Sequence, residues 1–181
     1  MSGPVLSRLL IIVGISTWGH AFGQSYEEGL QAAQNGDYHR AYAIWKPMAD
    51  AGVSRAQYAL GLMHENGHGV ELNYHQARAW YKKAAVQGDA RAQHNLALLY
   101  IGGEGGSTNY EEAIVLLLSA AKSGSAESLY QLSELYMAGK GRPKDIEGAN
   151  KFLEMAARLA RKSFSPPKSS TSCCGRNGEL R

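Results

Sequence analysis

Ala56-Gln57-Tyr58-Ala59-Leu60-Gly61, then Gly67-His68-Gly69-Val70, then Ala84-Ala85-Val86-Gln87-Gly88 make up one period of a pattern that recurs every 36 residues. Ala49, Ala85, Ala121 and Ala157 form one series at that spacing, and Ala41, Ala77, Ala113 and Ala149 form another. Leu60, Leu96 and Leu132 keep step, as do Gly67, Gly103 and Gly139, then Gly69, Gly105 and Gly141. A fixed period in this range marks stacked repeats, each of which buries its apolar face only against its neighbours. Such arrays offer an extended surface rather than a catalytic pocket.

Residues 54–89 read as helix, glycine loop, helix, glycine stop. Arg55 to Glu65 is rich in helix formers, with Ala56, Leu60 and Met63 at helical spacing. Asn66, Gly67, Gly69 and Asn73 break the pattern and predict a loop. Tyr74 to Gln87 resumes it through Ala77, Trp80, Tyr81, Ala84 and Ala85, and Gly88 suits a left-handed helix end. The small positions (Ala56, Ala92 and Ser128, and the Ala41 series) let paired helices approach closely. Large side chains fill the space between hairpins: Ile44, Trp80, Leu116 and Phe152 in one series, and Trp45, Tyr81, Leu117 and Leu153 in the next. Each contributes roughly 1.5–3 kcal/mol when fully buried. Asp37, Asn73, Asn109 and Asp145 stand where each second helix begins, and all are good N-cap types.

The combination of A-x-x-x-L, G-x-G, a capping Asp or Asn, A-x-x-W and A-A-x-x-G resembles the Sel-one-like repeat family, relatives of the tetratricopeptide repeats. The resemblance implies an all-α fold, an α-solenoid of about four stacked antiparallel helix hairpins. It covers three units, 54–89, 90–125 and 126–162, preceded by a tetratricopeptide-like hairpin at 24–53. That first hairpin departs from the pattern, because its loop is only about Asn35–Asp37. Pro47 is predicted to kink its second helix.

The two ends read differently. Arg8 precedes a mostly apolar run, Leu9 to Trp18, and Ala21 and Gly23 place small residues before Gln24. Residues 1–23 are therefore expected to be a signal peptide, and the protein to be exported to a periplasm or beyond. Membrane contact is expected only through an uncleaved N-terminus or the tail. The tail, 163–181, is rich in Ser, Pro, Lys and Gly and is expected to be disordered.

The chain carries a formal charge of +3, which hides an asymmetry. Residues 24–157 hold 12 Lys/Arg against 15 Asp/Glu, whereas residues 158–181 hold six against one. A mildly acidic body lacks the dense basic face of a nucleic-acid binder. Both cysteines, Cys173 and Cys174, lie side by side in the tail, so the body is built without disulfides.

Two motifs invite chemistry and the register argues against both. His64-Glu65-Asn66-Gly67-His68 has the literal H-E-x-x-H spacing of zinc proteases. His64, however, occupies the helix-packing position of Tyr100 and Tyr136, and Gly67 and His68 fall where the helix has ended. Gly102-Gly103-Glu104-Gly105-Gly106 follows a helix rather than a strand and lacks a P-loop's Lys-Ser/Thr, so it reads as a flexible turn with spare glycines. No metal and no cofactor are expected.

Comparing the units within the chain separates fixed from free positions. On the first helices, 55, 58, 59 and 62 vary and share one face. In the resembled family the first helices line the concave side, which implies a candidate binding face of Arg55, Tyr58, Arg91, His94, Asn95, Glu127, Tyr130 and Gln131. Tyr58, His94 and Tyr130 are expected to align as a ladder. The functional expectation is a non-catalytic interaction scaffold that binds a protein or peptide of the cell envelope. The alternative is a cell-wall or β-lactam-interacting protein, because a cysteine-rich branch of the resembled family is associated with penicillin binding. The repeats here lack that branch's cysteines.

Overall fold

The computed structural model describes residues 25–163, so the expected signal segment, 1–23, and the tail beyond Ser163 lie outside the described residues. Among these residues there are eight helices and no strand. They are α1 (25–34), α2 (Tyr38–Asp50), α3 (Ser54–Asn66), α4 (Tyr74–Val86), α5 (Ala90–Gly102), α6 (Tyr110–Lys122), α7 (Ala126–Ala138) and α8 (Ile146–Ser163). Each helix packs principally on its neighbours in sequence, which makes the chain a solenoid of four hairpins.

The cap residues set where the second helices start. Asp37 accepts from the Arg40 amide at 3.1 Å, Asn73 from Gln76 at 3.0 Å, Asn109 from Glu112 at 3.1 Å and Asp145 from Gly148 at 2.9 Å. Two first helices are capped as well, α5 by Asp89 and α7 by Ser125, whereas Val53 before α3 supplies no side-chain cap. Pro47 does not end α2, which runs on to Asp50, and the Ala51 amide donates to the Pro47 carbonyl at 3.0 Å. The proline sits in the last turns, on the exposed side with Ala43, where water can satisfy the carbonyl it leaves unpaired.

The small series are the closest contacts of the stack. Ala41, Ala77, Ala113 and Ala149 are all fully buried, as are Ala56, Ala92 and Ser128. Leu60, Tyr81, Leu117 and Leu132 fill the layers between them. Two glycines admit aromatic rings onto first helices: a Cβ at Gly29 would stand 2.3 Å from the Trp45 indole nitrogen, and one at Gly61 the same distance from the Tyr81 ring. Ala59, expected on the free face, belongs instead to the first core cluster with Trp45, Met48 and Leu60.

The second glycine of each loop is a packing requirement, which corrects the reading of spare glycines. Gly69, Gly105 and Gly141 lie against Tyr38, Tyr74 and Tyr110, the first residues of the preceding unit's second helix. A Cβ at Gly105 would come within 2.4 Å of the Tyr74 carbonyl carbon. All three glycines have positive φ, between 69° and 74°.

Candidate functional site

Five of the eight face residues meet around one cavity. Tyr58 of α3, Arg91, His94 and Asn95 of α5, and Glu127 of α7 line an open groove of about 390 Å³, closed at one end by the turn Ser123–Ser125. Arg91 anchors it. Its guanidinium stacks 4.4 Å from the Tyr58 ring centroid and forms a two-pronged pair with Asp89 at 2.8 and 3.2 Å. Burial alone would raise the Asp89 pKa, but the hydrogen bonds and charge of Arg91 overcome it and hold the carboxyl below its usual range. Asp89 also caps α5, so one carboxylate fixes both the helix start and the guanidinium.

The neighbouring side chains are held as firmly. Asn95 donates to the Tyr81 hydroxyl at 3.2 Å, and that hydroxyl in turn donates to Glu65. Burial, with the Glu65 hydrogen bond second, holds the Tyr81 hydroxyl far above its ordinary range, so it stays protonated. The His94 ring Nδ1 lies 3.0 Å from the Ser128 hydroxyl, which donates to Ser125 at 2.9 Å, and Ser125 donates to Glu127 at 3.2 Å. Burial lowers the His94 pKa, so the imidazole is neutral near pH 7.

The expected ladder does not form one surface. Tyr58 leans on Tyr81, with centroids 5.8 Å apart; His94 is tied to Ser128; Tyr130 stands exposed. Tyr130 and Gln131 do not line the groove. Neither does Arg55, which lies 5.9 Å from the Tyr26 ring. The register places the three rungs alike on their helices, but what covers each one depends on the next unit.

A second cavity escaped the sequence reading. It holds about 300 Å³ and is walled by Tyr26, Leu30 and Ala33 of α1, Tyr38 and Trp45 of α2, and Ala59, Leu62 and Met63 of α3, with His68. Tyr58 and Arg91 line both cavities, so the two adjoin. Tyr26 stacks on Trp45 at 5.6 Å, and the Trp45 indole donates to the Tyr26 carbonyl at 3.2 Å. The available signal was Tyr26 itself, one period before Leu62.

The sequence motifs resolve structurally. His68 stacks on Tyr38 at 4.3 Å and His64 meets Tyr42 edge-on at 6.2 Å, with the helix ended between them at Gly67. Among the described residues no group of three or more His, Cys, Asp or Glu could hold a metal. Ser119-Ala120-Ala121-Lys122 on α6 has the S-x-x-K spacing of β-lactam-reactive serine enzymes, but neither Ser119 nor Lys122 lines either cavity. A second such spacing, Ser165 to Lys168, lies outside the described residues. Among the described residues no helix is long and apolar enough to cross a membrane.

The fold is of the α-solenoid class, built from stacked helix hairpins. The family model "Sel1 repeat" matches residues 19–53, 54–89, 90–125 and 126–160, and the chain belongs to that family. The first hairpin is thus matched as a repeat alongside the other three. Repeats of this family generally mediate protein interactions and are typically non-catalytic. Among solved structures, a Sel1 repeat protein from Oxalobacter formigenes is 31% identical with a TM-score of 0.69, over 74% of this chain and 55% of that one. A protective antigen of uropathogenic Escherichia coli displaying an SLR fold is 28% identical with a TM-score of 0.73, over 80% of this chain and 32% of that one. The chain therefore spans 55% and 32% of the length of those two structures. No protein of curated function matches it.

Proposed function

We propose that the protein is an exported, non-catalytic adaptor that binds a protein or peptide of the cell envelope in the groove of its first helices. The observation that carries this reading is the convergence of Tyr58, Arg91, His94, Asn95 and Glu127 on one open cavity that continues into an apolar one. Tyr and Arg are enriched at the energetic centres of interfaces, and a stacked, ion-paired Arg91 is already ordered before a ligand arrives. The export part of the reading rests on Arg8, the apolar run Leu9 to Trp18 and the small residues Ala21 and Gly23.

The test is capture from envelope extract by the full chain beside a Tyr58→Ala/Arg91→Ala variant of unchanged helicity and melting temperature. The captured protein is then purified and its binding measured directly. A partner lost by the variant supports the groove, and one held equally by both overturns it. N-terminal sequencing of the protein recovered from the producing cell should begin at Gln24 if the leader is removed.

A further inference from the structure

We propose that the open C-terminal end of the array docks a second copy of this chain, α8 against α8 in antiparallel, to form a two-fold symmetric dimer. Three observations lead to it.

The first is what the earlier units bury at the same place. Trp45, Tyr81 and Leu117, one period apart on α2, α4 and α6, are 5%, 0% and 0% exposed. Each shares a core cluster with a leucine of the following first helix: Trp45 with Leu60, Tyr81 with Leu96, and Leu117 with Leu132. Leu153 is their counterpart on α8, and no helix follows α8 among the described residues. Leu153 is only partly buried and joins none of those clusters. Ile146, Leu153, Ala157 and Ala160 form a stripe along that side of α8, interrupted by Asn150.

The second is that the helix does not turn back to cover the stripe. Gly52, Gly88 and Gly124, with φ between 88° and 93°, turn the chain after α2, α4 and α6, each of 13 residues. Ala160 stands at the corresponding position, and α8 runs through it for 18 residues to Ser163.

The third is the charge of α8, which says what fits. Residues 145–154 hold Asp145, Glu147 and Glu154 against Lys151, which pairs with Glu147 along the helix at 2.7 Å. Residues 155–163 hold Arg158, Arg161 and Lys162 and no acid. An antiparallel copy of the same helix sets the acidic half against the basic half twice over, whereas a parallel copy sets like against like. A crossing at Ala157, small enough for close approach, puts Leu153 of each copy beside Ala160 of the other, and Glu154 beside Arg161. The opposite end of the array is a poorer cover. Gly29 seats the Trp45 ring as Gly61 seats Tyr81, so the exposed Glu28 stands on α1 where α3 has Leu60. Laying α1 on the stripe would bury that carboxylate, which favours a closed pair over a head-to-tail filament.

Sedimentation equilibrium of the protein as recovered from the producing cell tests this, in reducing buffer so that Cys173 and Cys174 form no link. Glu154→Arg and Arg161→Glu both change exposed positions, and circular dichroism and melting confirm each fold. The parent should dimerise reversibly with concentration. Each variant alone should dimerise about twofold to thirtyfold more weakly, because the symmetry loses the surface ion pair twice. An equimolar mixture of the two variants should recover the parental affinity, since opposite charges then face each other across the pair. A dimer that ignores both reversals, or a mixture no stronger than either variant alone, overturns the antiparallel pairing. A parent chain monomeric up to about 1 mM overturns the dimer itself.

Discussion

Gly105 rests its Cα against the backbone of Tyr74, so closely that a Cβ would stand 2.4 Å from the Tyr74 carbonyl carbon and 2.5 Å from its oxygen. The obstacle is main chain, which cannot swing aside as a side-chain tip can. Gly105→Ala should therefore lower stability by roughly 1–3 kcal/mol through overpacking, beyond the roughly 1–2 kcal/mol for a left-handed non-glycine residue. Gly124→Ala, with φ of 93° and nothing within 4 Å of its Cβ, isolates the conformational part. Urea denaturation of both variants makes the comparison, and equal losses would show that the seat carries no energy of its own.

Arg78 pins the same loop from the other side. Its guanidinium donates to the Leu99 carbonyl at 3.3 Å and the Ser107 carbonyl at 3.0 Å, and lies 4.3 Å from the Tyr100 ring centroid. Removing a charged donor from such a site costs about 1.5–3 kcal/mol, so Arg78→Ala should unfold that much more easily and speed amide exchange in 103–108. Both bonds leave one nitrogen, Nη2, so what lysine lacks is the flat guanidinium face that lies on the Tyr100 ring. If Arg78→Lys restored full protection, that stacked face would not be what matters.

The N-caps offer a repeated test in one molecule. Asn73→Ala and Asn109→Ala each remove the acceptor for an amide three residues on, and each should cost about 1 kcal/mol. Because the two caps serve separate helices, the double variant should lose close to the sum. Thermal melts of the set check this, and a strongly sub-additive double variant would mean the helices do not depend on their caps independently.

Burial lowers the pKa of both His94 and His64, so the folded chain resists protonation that the unfolded chain accepts from about pH 6.5 downward. The unfolded state then binds more protons, and stability must fall as pH drops below that point, levelling once the folded histidines also titrate. Melting temperature measured from pH 7.5 to 5 should decline through this window. His94→Gln should flatten part of the decline, and an unchanged slope would assign it elsewhere.

The repeat register was legible because each cap, small residue and large residue acts within its own unit or on the next one. Asp37, Asn73, Asn109 and Asp145 could be placed as caps from their spacing alone, and the fully buried Ala41 series could be placed as core. The groove was legible only in part. Arg55, Tyr130 and Gln131 share a helical face with its lining residues, but which unit covers them depends on the packing of neighbours. The apolar cavity was hidden because Tyr26 belongs to the least regular hairpin and its counterparts, Leu62, Leu98 and Glu134, differ in kind. The glycine seats were hidden for another reason: Gly105 touches main chain, and main chain has no letter in the sequence.

That last contact separates two jobs that most binding proteins entangle. An exposed residue such as Glu127 can be exchanged for another while the pitch of the array stays constant. The scaffold behaves like a ruled page: the lines are set once, and a different recognition text can be written on them.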